Sequence, residues 1–451
     1  MAGTTIWRAA VALCLTMALS SSPAQTIRVT GRTHVPLELP GRPLGEPHLA
    51  VHPSKPEHLL GAVMVHDPSA RLGDSTRARI RCATFVSTDD GATWKRQLFD
   101  LEACFDPGVA ITPEGRAMFI ALGRDARFPG SDDELVVHAS PDGGLTWDSR
   151  PVLLGRGHDH PMLVVDRSSP DRANWAYVVS SLMARADHGI LRFGLSVSRT
   201  RNGGRSFDPP VFLRPTTLMA LAETPVVLSD GTLLLSYVEP AMGDGRTLLP
   251  RRRAWVMQSR DGGFDFARPT FINEACGASN VSFSLSSLAV DASPGPYRDR
   301  LYFACNQARP SEVVVSASAD RGETWTAPAG IGGAVADSTV RRKVMASAVS
   351  AGGVLGVVWV ETGRNPAGPC AGDVYFAASL DGGQSFLPAE RVARASACPD
   401  RARNGQAGSG DYFGLATDAL GRFRLLSSGV RDGLLQLELA TIEVAGEPAR
   451  R

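Results

Sequence analysis

Six copies of one short phrase punctuate the chain: STDDGATW (87–94), SPDGGLTW (140–147), TRNGGRSF (200–207), SRDGGFDF (259–266), SADRGETW (318–325) and SLDGGQSF (379–386). Their closing aromatics, Trp94, Trp147, Phe207, Phe266, Trp325 and Phe386, follow one another at intervals of 53, 60, 59, 59 and 61 residues. So steady a period marks one supersecondary unit repeated along the chain, each copy burying its apolar face against its neighbours.

The units share an internal order. A β-branched, alternating segment such as VVHAS or VMQS leads into each phrase, and a short extended piece such as RPVLL or RPTFI follows it. Earlier in each unit lie two further strands. The first recurs seven times, as HLAVHP (48–53), GVAITP (108–113), MLVVDR (162–167), PVVLSD (225–230), SLAVDA (287–292), ASAVSA (346–351) and GLATDA (414–419). Four short antiparallel strands per unit, without helical periodicity, predict an all-β fold: a β-propeller of four-stranded antiparallel blades. Seven first strands against six phrases predict seven blades, the last completed by residues 26–35 near the N-terminus. Six blades is the alternative if the last three strands merely flank the ring.

The phrase itself reads as a corner between the third and fourth strands. Gly144 permits a positive φ, Ser140 and Asp142 bond turn backbone, and Trp147 offers a broad apolar face. Six copies on one rim argue for structure and against catalysis.

Residues 1–24 have the order of a secretory signal: Arg8, an apolar run from Ala9 to Leu19, then Ser22 and Ala24 before Gln25. The expectation is therefore an exported protein, secreted or periplasmic, with residues 25–451 forming a single propeller domain. No later run reaches the length of a transmembrane helix. With 47 basic and 46 acidic residues the net charge is +1, which gives no electrostatic case for nucleic acid or an anionic membrane. The Arg251-Arg252-Arg253 run reads as a solvated face. Six cysteines remain beyond the signal and fall into three local couples. Cys82–Cys104, Cys276–Cys305 and Cys370–Cys398 are the expected disulfides, out of the fifteen pairings that six cysteines allow.

The boxes, S-x-D-x-G-x-[TS]-[WF], resemble the Asp-box or BNR repeat of the sialidase superfamily, and the resemblance spans nearly the whole mature chain. The phrases GEPHLAVHP (45–53) and GDYFGLATD (410–418) are similar to those of exported bacterial sialidase-like proteins. The resemblance implies a glycoside hydrolase that holds a substrate carboxylate with arginines, attacks with a tyrosine activated by a glutamate, and uses an aspartate as acid and base. The superfamily's Arg-Ile-Pro phrase is absent, its place taken by Gly45-Glu46-Pro47.

The entrances of the inner strands converge on a propeller's axis. They carry Glu46, Asp106, Asp159 with His160, Glu223, Ser286, the trio Arg341-Arg342-Lys343, and Asp411 with Tyr412. Mapped on the superfamily roles, Tyr412 is the candidate nucleophile, Glu223 its base, Asp106 the acid and Arg342 the carboxylate clamp. Such a tyrosine needs its base within hydrogen-bond reach. Glu46, Asp159, His160, Arg341 and Asp411 are candidate ligand-binding residues, and the bland alternative for Tyr412 is a ring packed between the closing blades. No cofactor is expected. His158-Asp159-His160 sets two imidazoles on one extended segment without an evident third ligand, and the ring of carboxylates would suit calcium. A glycan or glycoconjugate is the expected partner. The carboxylate excess pulls against an anionic sialoside and leaves two rivals: hydrolysis of another glycan, or a non-catalytic propeller or envelope scaffold that binds glycan or protein.

Overall fold

The computed structural model describes residues 25–446 except 40, 67–79, 102, 125–133, 186–190, 215–219, 244–246, 278–284, 308–310, 336, 338, 364–370, 397–409 and 432–433. Residues 1–24, expected as a signal, and the expected Cys370–Cys398 couple lie outside the described residues.

Seven antiparallel sheets form seven blades. The innermost strands of blades 1–3 are Leu44–His52, Ala103–Ile111 and His158–Val165. Blade 4 has a broken one, Leu221–Ala222 and Val226–Val227, both pieces paired to Leu233–Gly243. Blades 5–7 start with Ser287–Val290, Arg341–Val349 and Gly414–Thr417. Each inner strand packs beside the next, and the strand of blade 7 packs beside that of blade 1, so the ring closes. The apolar clusters lie mainly between successive blades. One joins Val358 and Phe376 of blade 6 to Phe423 and Leu425 of blade 7.

Blade 7 is assembled from both ends of the chain. Thr26–Val35 pairs antiparallel with Leu434–Ala445, from Thr26 opposite Ala445 to Val35 opposite Leu437. The expected seventh blade is thus present, closed by the N-terminal strand.

The repeated phrase forms the turn between third and fourth strands in blades 1–6, with one hydrogen-bond pattern. In blade 2, Gly144 N–H donates to Ser140 Oγ at 2.8 Å, while Asp142 accepts Thr146 N–H at 2.8 Å and the Thr146 hydroxyl at 2.7 Å. Trp147, half-buried, meets Phe99 and Phe119 edge-on at 5.6 and 6.2 Å. In blade 1 the inner strand runs from Leu44 to His52, and the third strand, Arg81–Ser87, runs the same way before it turns. The turns therefore sit on the face opposite the inner-strand entrances.

Two expected disulfides are present, Cys82–Cys104 between blades 1 and 2 and Cys276–Cys305 between blades 4 and 5. Among the described residues no helix is long and apolar enough to cross a membrane.

Candidate functional site at the inner-strand entrances

Three inner strands break register at the same place. The pairing skips Glu46-Pro47 in blade 1, Asp106-Pro107 in blade 2 and His160-Pro161 in blade 3. Proline brings no N–H to the ladder, so each X-Pro pair is a natural bulge. The residue before each proline, Glu46, Asp106 or His160, adopts φ of 51°, 49° or 49°. Such backbone is uncommon outside glycine, and each instance costs of order 1–3 kcal/mol. In blade 4 the sequence Glu223-Thr224-Pro225 interrupts the inner strand altogether. Blades 1–4 thus each present a polar side chain at a break beside a proline.

The strain is offset by contacts between blades. His160 N–H donates to Asp106 Oδ2 at 3.1 Å, Val109 N–H to His48 Nδ1 at 3.3 Å, and Ser286 N–H to Glu223 Oε2 at 3.0 Å. His160 Nδ1 lies 2.8 Å from the Ala222 carbonyl, which can only accept, so Nδ1 carries the proton. His160 Nε2 and Glu46 Oε2 are buried without a partner among the described residues.

Glu46, buried, and Asp106, half-buried, are the residues before proline in neighbouring blades, and Asp106 acts electrostatically on Glu46. Burial above all, then the neighbouring Asp106 and Asp411, pushes the Glu46 carboxyl well above the usual carboxylate range, while Lys343 opposes the shift. Burial also raises Asp106 to about 6, against the attraction of His160. Burial and the neighbouring charge both disfavour the ionised form of Glu46. Gly410 fits against this pair only as glycine, at φ 91° and with a Cβ position 2.0 Å from Glu46 Cγ.

Tyr412 comes from blade 7 and reaches across the axis. Its hydroxyl donates to the Pro107 carbonyl at 3.3 Å, and its ring lies 6.3 Å from His48 and 6.1 Å from His160. It belongs to the apolar cluster of Leu221 and Leu285. Burial, then Glu46, Asp106 and Asp411, raises its phenol far above the ordinary value. Beside it Lys343 Nζ holds Asp411 Oδ1 at 2.6 Å, with both side chains partly open to solvent. Burial lowers His48 to about 4, which keeps it neutral.

The sequence-selected residues divide accordingly. Glu46, Asp106, Asp159, His160, Asp411 and Tyr412 gather in one cluster, Asp159 acting electrostatically on Asp106. Glu223 is fully buried, raised to about 8 chiefly by burial, and its charged neighbour is Arg252. The carboxyls that act on Tyr412 are Glu46, Asp106 and Asp411. Arg342 turns away, between blades 5 and 6, where Nε bonds Glu361 at 2.8 Å, the Gly332 and Gly333 carbonyls take the other nitrogens, and Trp359 lies beneath. Its guanidinium is committed to the blade interface, which corrects its expected role as a clamp at the mouth. Arg341 is exposed and bonds the Val340 carbonyl at 3.0 Å. His158 bonds Ser180 Oγ at 2.7 Å, so the two histidines of 158–160 do not converge, and among the described residues no three His, Cys, Asp or Glu side chains group as for a metal. The Glu46–Asp106 pair and the Lys343 contact escaped the sequence reading. Their available signal was the X-Pro pair at one position of three successive inner strands.

No family model and no curated protein matches the chain. Among solved structures it is similar to a protein of unknown function from Dyadobacter fermentans DSM 18053, at 14% identity and TM-score 0.52, over 93% of this chain and 99% of that one. It also matches a Hadza microbial sialidase (14%, TM-score 0.47, 84% and 75%). A further match is an α-L-arabinofuranosidase from Fusarium graminearum (15%, TM-score 0.47, 75% and 93%). The first of these likenesses bears on the propeller fold alone.

Proposed function

We propose that this chain is an exported propeller of the Asp-box, sialidase-like kind that hydrolyses a glycosidic bond at the inner-strand entrances. The observation that carries the reading is the placement of Glu46 and Asp106, carboxyls on strained backbone before proline in adjacent blades, both raised by burial. Carboxyls that flank a glycosidic bond stand about 5–9.5 Å apart. Glu46 and Asp106 act together as one acid unit, with Asp411 on the other side of the bond. Glu46, whose carboxyl is pushed well above the usual range, is the acid that protonates the leaving oxygen. Asp411, fixed by Lys343, takes the proton of the attacking water. Tyr412, a neutral phenol bonded to the Pro107 carbonyl, shapes the floor of the site rather than attacking. The cluster holds four carboxyls, Glu46, Asp106, Asp159 and Asp411, against the single amine of Lys343, which favours a neutral or basic sugar at the cleaved bond.

The test is turnover of neutral, uronic and sialic fluorogenic glycosides by the mature protein and its variants. Glu46→Gln is expected to lose about 10²-fold or more in rate, whereas Tyr412→Phe retains most of it. The wild-type rate is expected to fall at higher pH as the raised Glu46 carboxyl ionises. A sialoside hydrolysed by wild type and lost in Tyr412→Phe and Glu223→Gln would restore the tyrosine mechanism. Glycan binding without any turnover would make this a non-catalytic propeller.

A further inference from the structure

A second concave surface opens where blade 6 meets blade 7, lined by Arg32, His34, Arg391, Arg394, Arg431 and Glu438 among others, with a volume of about 470 Å³. Four guanidiniums and one carboxylate converge there in a protein whose net charge is only +1. The concentration is built by the fold, because Arg32 comes from the N-terminal strand, Arg391 and Arg394 from the outer strand of blade 6, and Arg431 from the second strand of blade 7. Arg32 Nη2 donates to the Arg391 carbonyl at 3.3 Å, which ties the blades together, and Arg391 leans on Asp373 at 3.3 Å. Gly429 lets the walls meet: a Cβ there would stand 2.6 Å from the Arg394 carbonyl oxygen. At the floor, His34 Nε2 is buried without a partner among the described residues.

Like charges held this close repel one another, a cost that an anion between them removes. Guanidinium forks match carboxylate and sulfate in two-pronged geometry. Among the described residues the lining includes no Phe, Tyr or Trp on which bases would stack, which speaks against nucleic acid. Arg431, at the end of the Phe423–Arg431 strand, lies on the same face as the inner-strand entrances. We infer that this groove binds the carboxylate or sulfate groups of an anionic polysaccharide. It holds the polymer beside the axial site and stands independently of whether that site hydrolyses anything.

The experiment is equilibrium binding of the whole mature protein to dextran sulfate, polygalacturonate, neutral dextran, inorganic phosphate and a single-stranded oligothymidylate. The Arg32→Gln/Arg394→Gln variant is compared with Arg251→Gln/Arg253→Gln, a basic surface elsewhere, and thermal melting confirms that both are folded. At least one of the two anionic polymers is expected to bind at low salt and weaken as salt screens the site. The groove variant is expected to weaken that binding about tenfold or more, with the control variant unchanged and neutral dextran unbound by all three. Preference for the sulfated or the carboxylated polymer identifies the anionic group. The inference is overturned if neither polymer binds, if phosphate binds and neither polymer does, if the oligonucleotide binds more tightly than both, or if the groove variant binds like wild type.

Discussion

Glu223 has no solvent exposure, and burial holds its carboxyl at about 8 against an ordinary 4.5. The folded protein therefore keeps a proton that the unfolded chain releases near 4.5. Its contribution to stability is fully present below that pH and is lost as pH rises towards 8. Glu223→Gln keeps an oxygen for Ser286 N–H and removes the titration. Chemical denaturation at pH 5 and pH 8 is expected to show the variant losing less stability than wild type, by up to about 1 kcal/mol per pH unit. Asp106 and Glu46 titrate with the same sign, so a residual slope persists in the variant. Trp147 is a different kind of residue, half-buried and edge-on to Phe99 and Phe119. Trp147→Ala is expected to cost about 2–4 kcal/mol in urea denaturation, somewhat below the loss for a fully buried ring, and to leave ligand binding by folded protein unchanged.

At the scale of the element, the repeated turn is a small ionic device. Its aspartates accept backbone and hydroxyl hydrogens, and those bonds, opposed by the slight burial, hold Asp142, Asp261, Asp320 and Asp381 below the ordinary carboxylate range. Exposed Asp89, bonded by Thr93 and Ser87, falls to about 2. A depressed value contributes stability above the unfolded pKa that is lost as pH falls through the folded one. Acid therefore loosens five of the six turns in the same window, below about pH 4. Blade 3 shows the escape: Asn202 Oδ1 accepts Ser206 N–H at 3.0 Å, and its amide donates to Ser206 Oγ at 2.8 Å without titrating. Asp142→Asn is expected to be near neutral at pH 7 and to lose less stability than wild type between pH 4 and pH 2, as read by urea midpoints.

The whole molecule depends on closing its ring. The N-terminal strand covers the edge of Leu434–Ala445, and Asp90 of the first repeated turn binds Arg422 at 3.3 Å and the buried Arg424. The turn position of Asp90 is glycine in four of the other copies, and Asp90 accepts φ 61° to make this clasp between blades 1 and 7. Deleting residues 26–35 would uncover an unpaired strand edge, the usual template for association between chains. The truncated protein is expected to melt at lower temperature and to associate as its concentration rises, measured by calorimetry and light scattering. A monomer as stable as wild type would contradict strand closure.

The repeat length, the alternation of apolar residues and the turn chemistry were all readable in sequence because they are local: they act within a blade or between neighbours. That locality gave the propeller, the seventh blade with its N-terminal strand, and the Cys82–Cys104 and Cys276–Cys305 pairs, which link adjacent blades. The inner-strand entrances were readable for the same reason, since every blade marks its own. Which side chain each entrance sends inward was not. Alternate residues of a strand face opposite ways, and a bulge of one residue reverses the phase. This is how Lys343 comes to meet Asp411 while Arg342 is buried against Glu361 between blades. Contacts across the axis were further out of reach. Tyr412 meets Pro107 over 305 positions of sequence, at a separation fixed by the summed angles of the intervening blades rather than by any residue near either end. Chain periodicity determined the ring, and the tertiary structure alone decided that Glu46, Asp106 and Tyr412 come together within it.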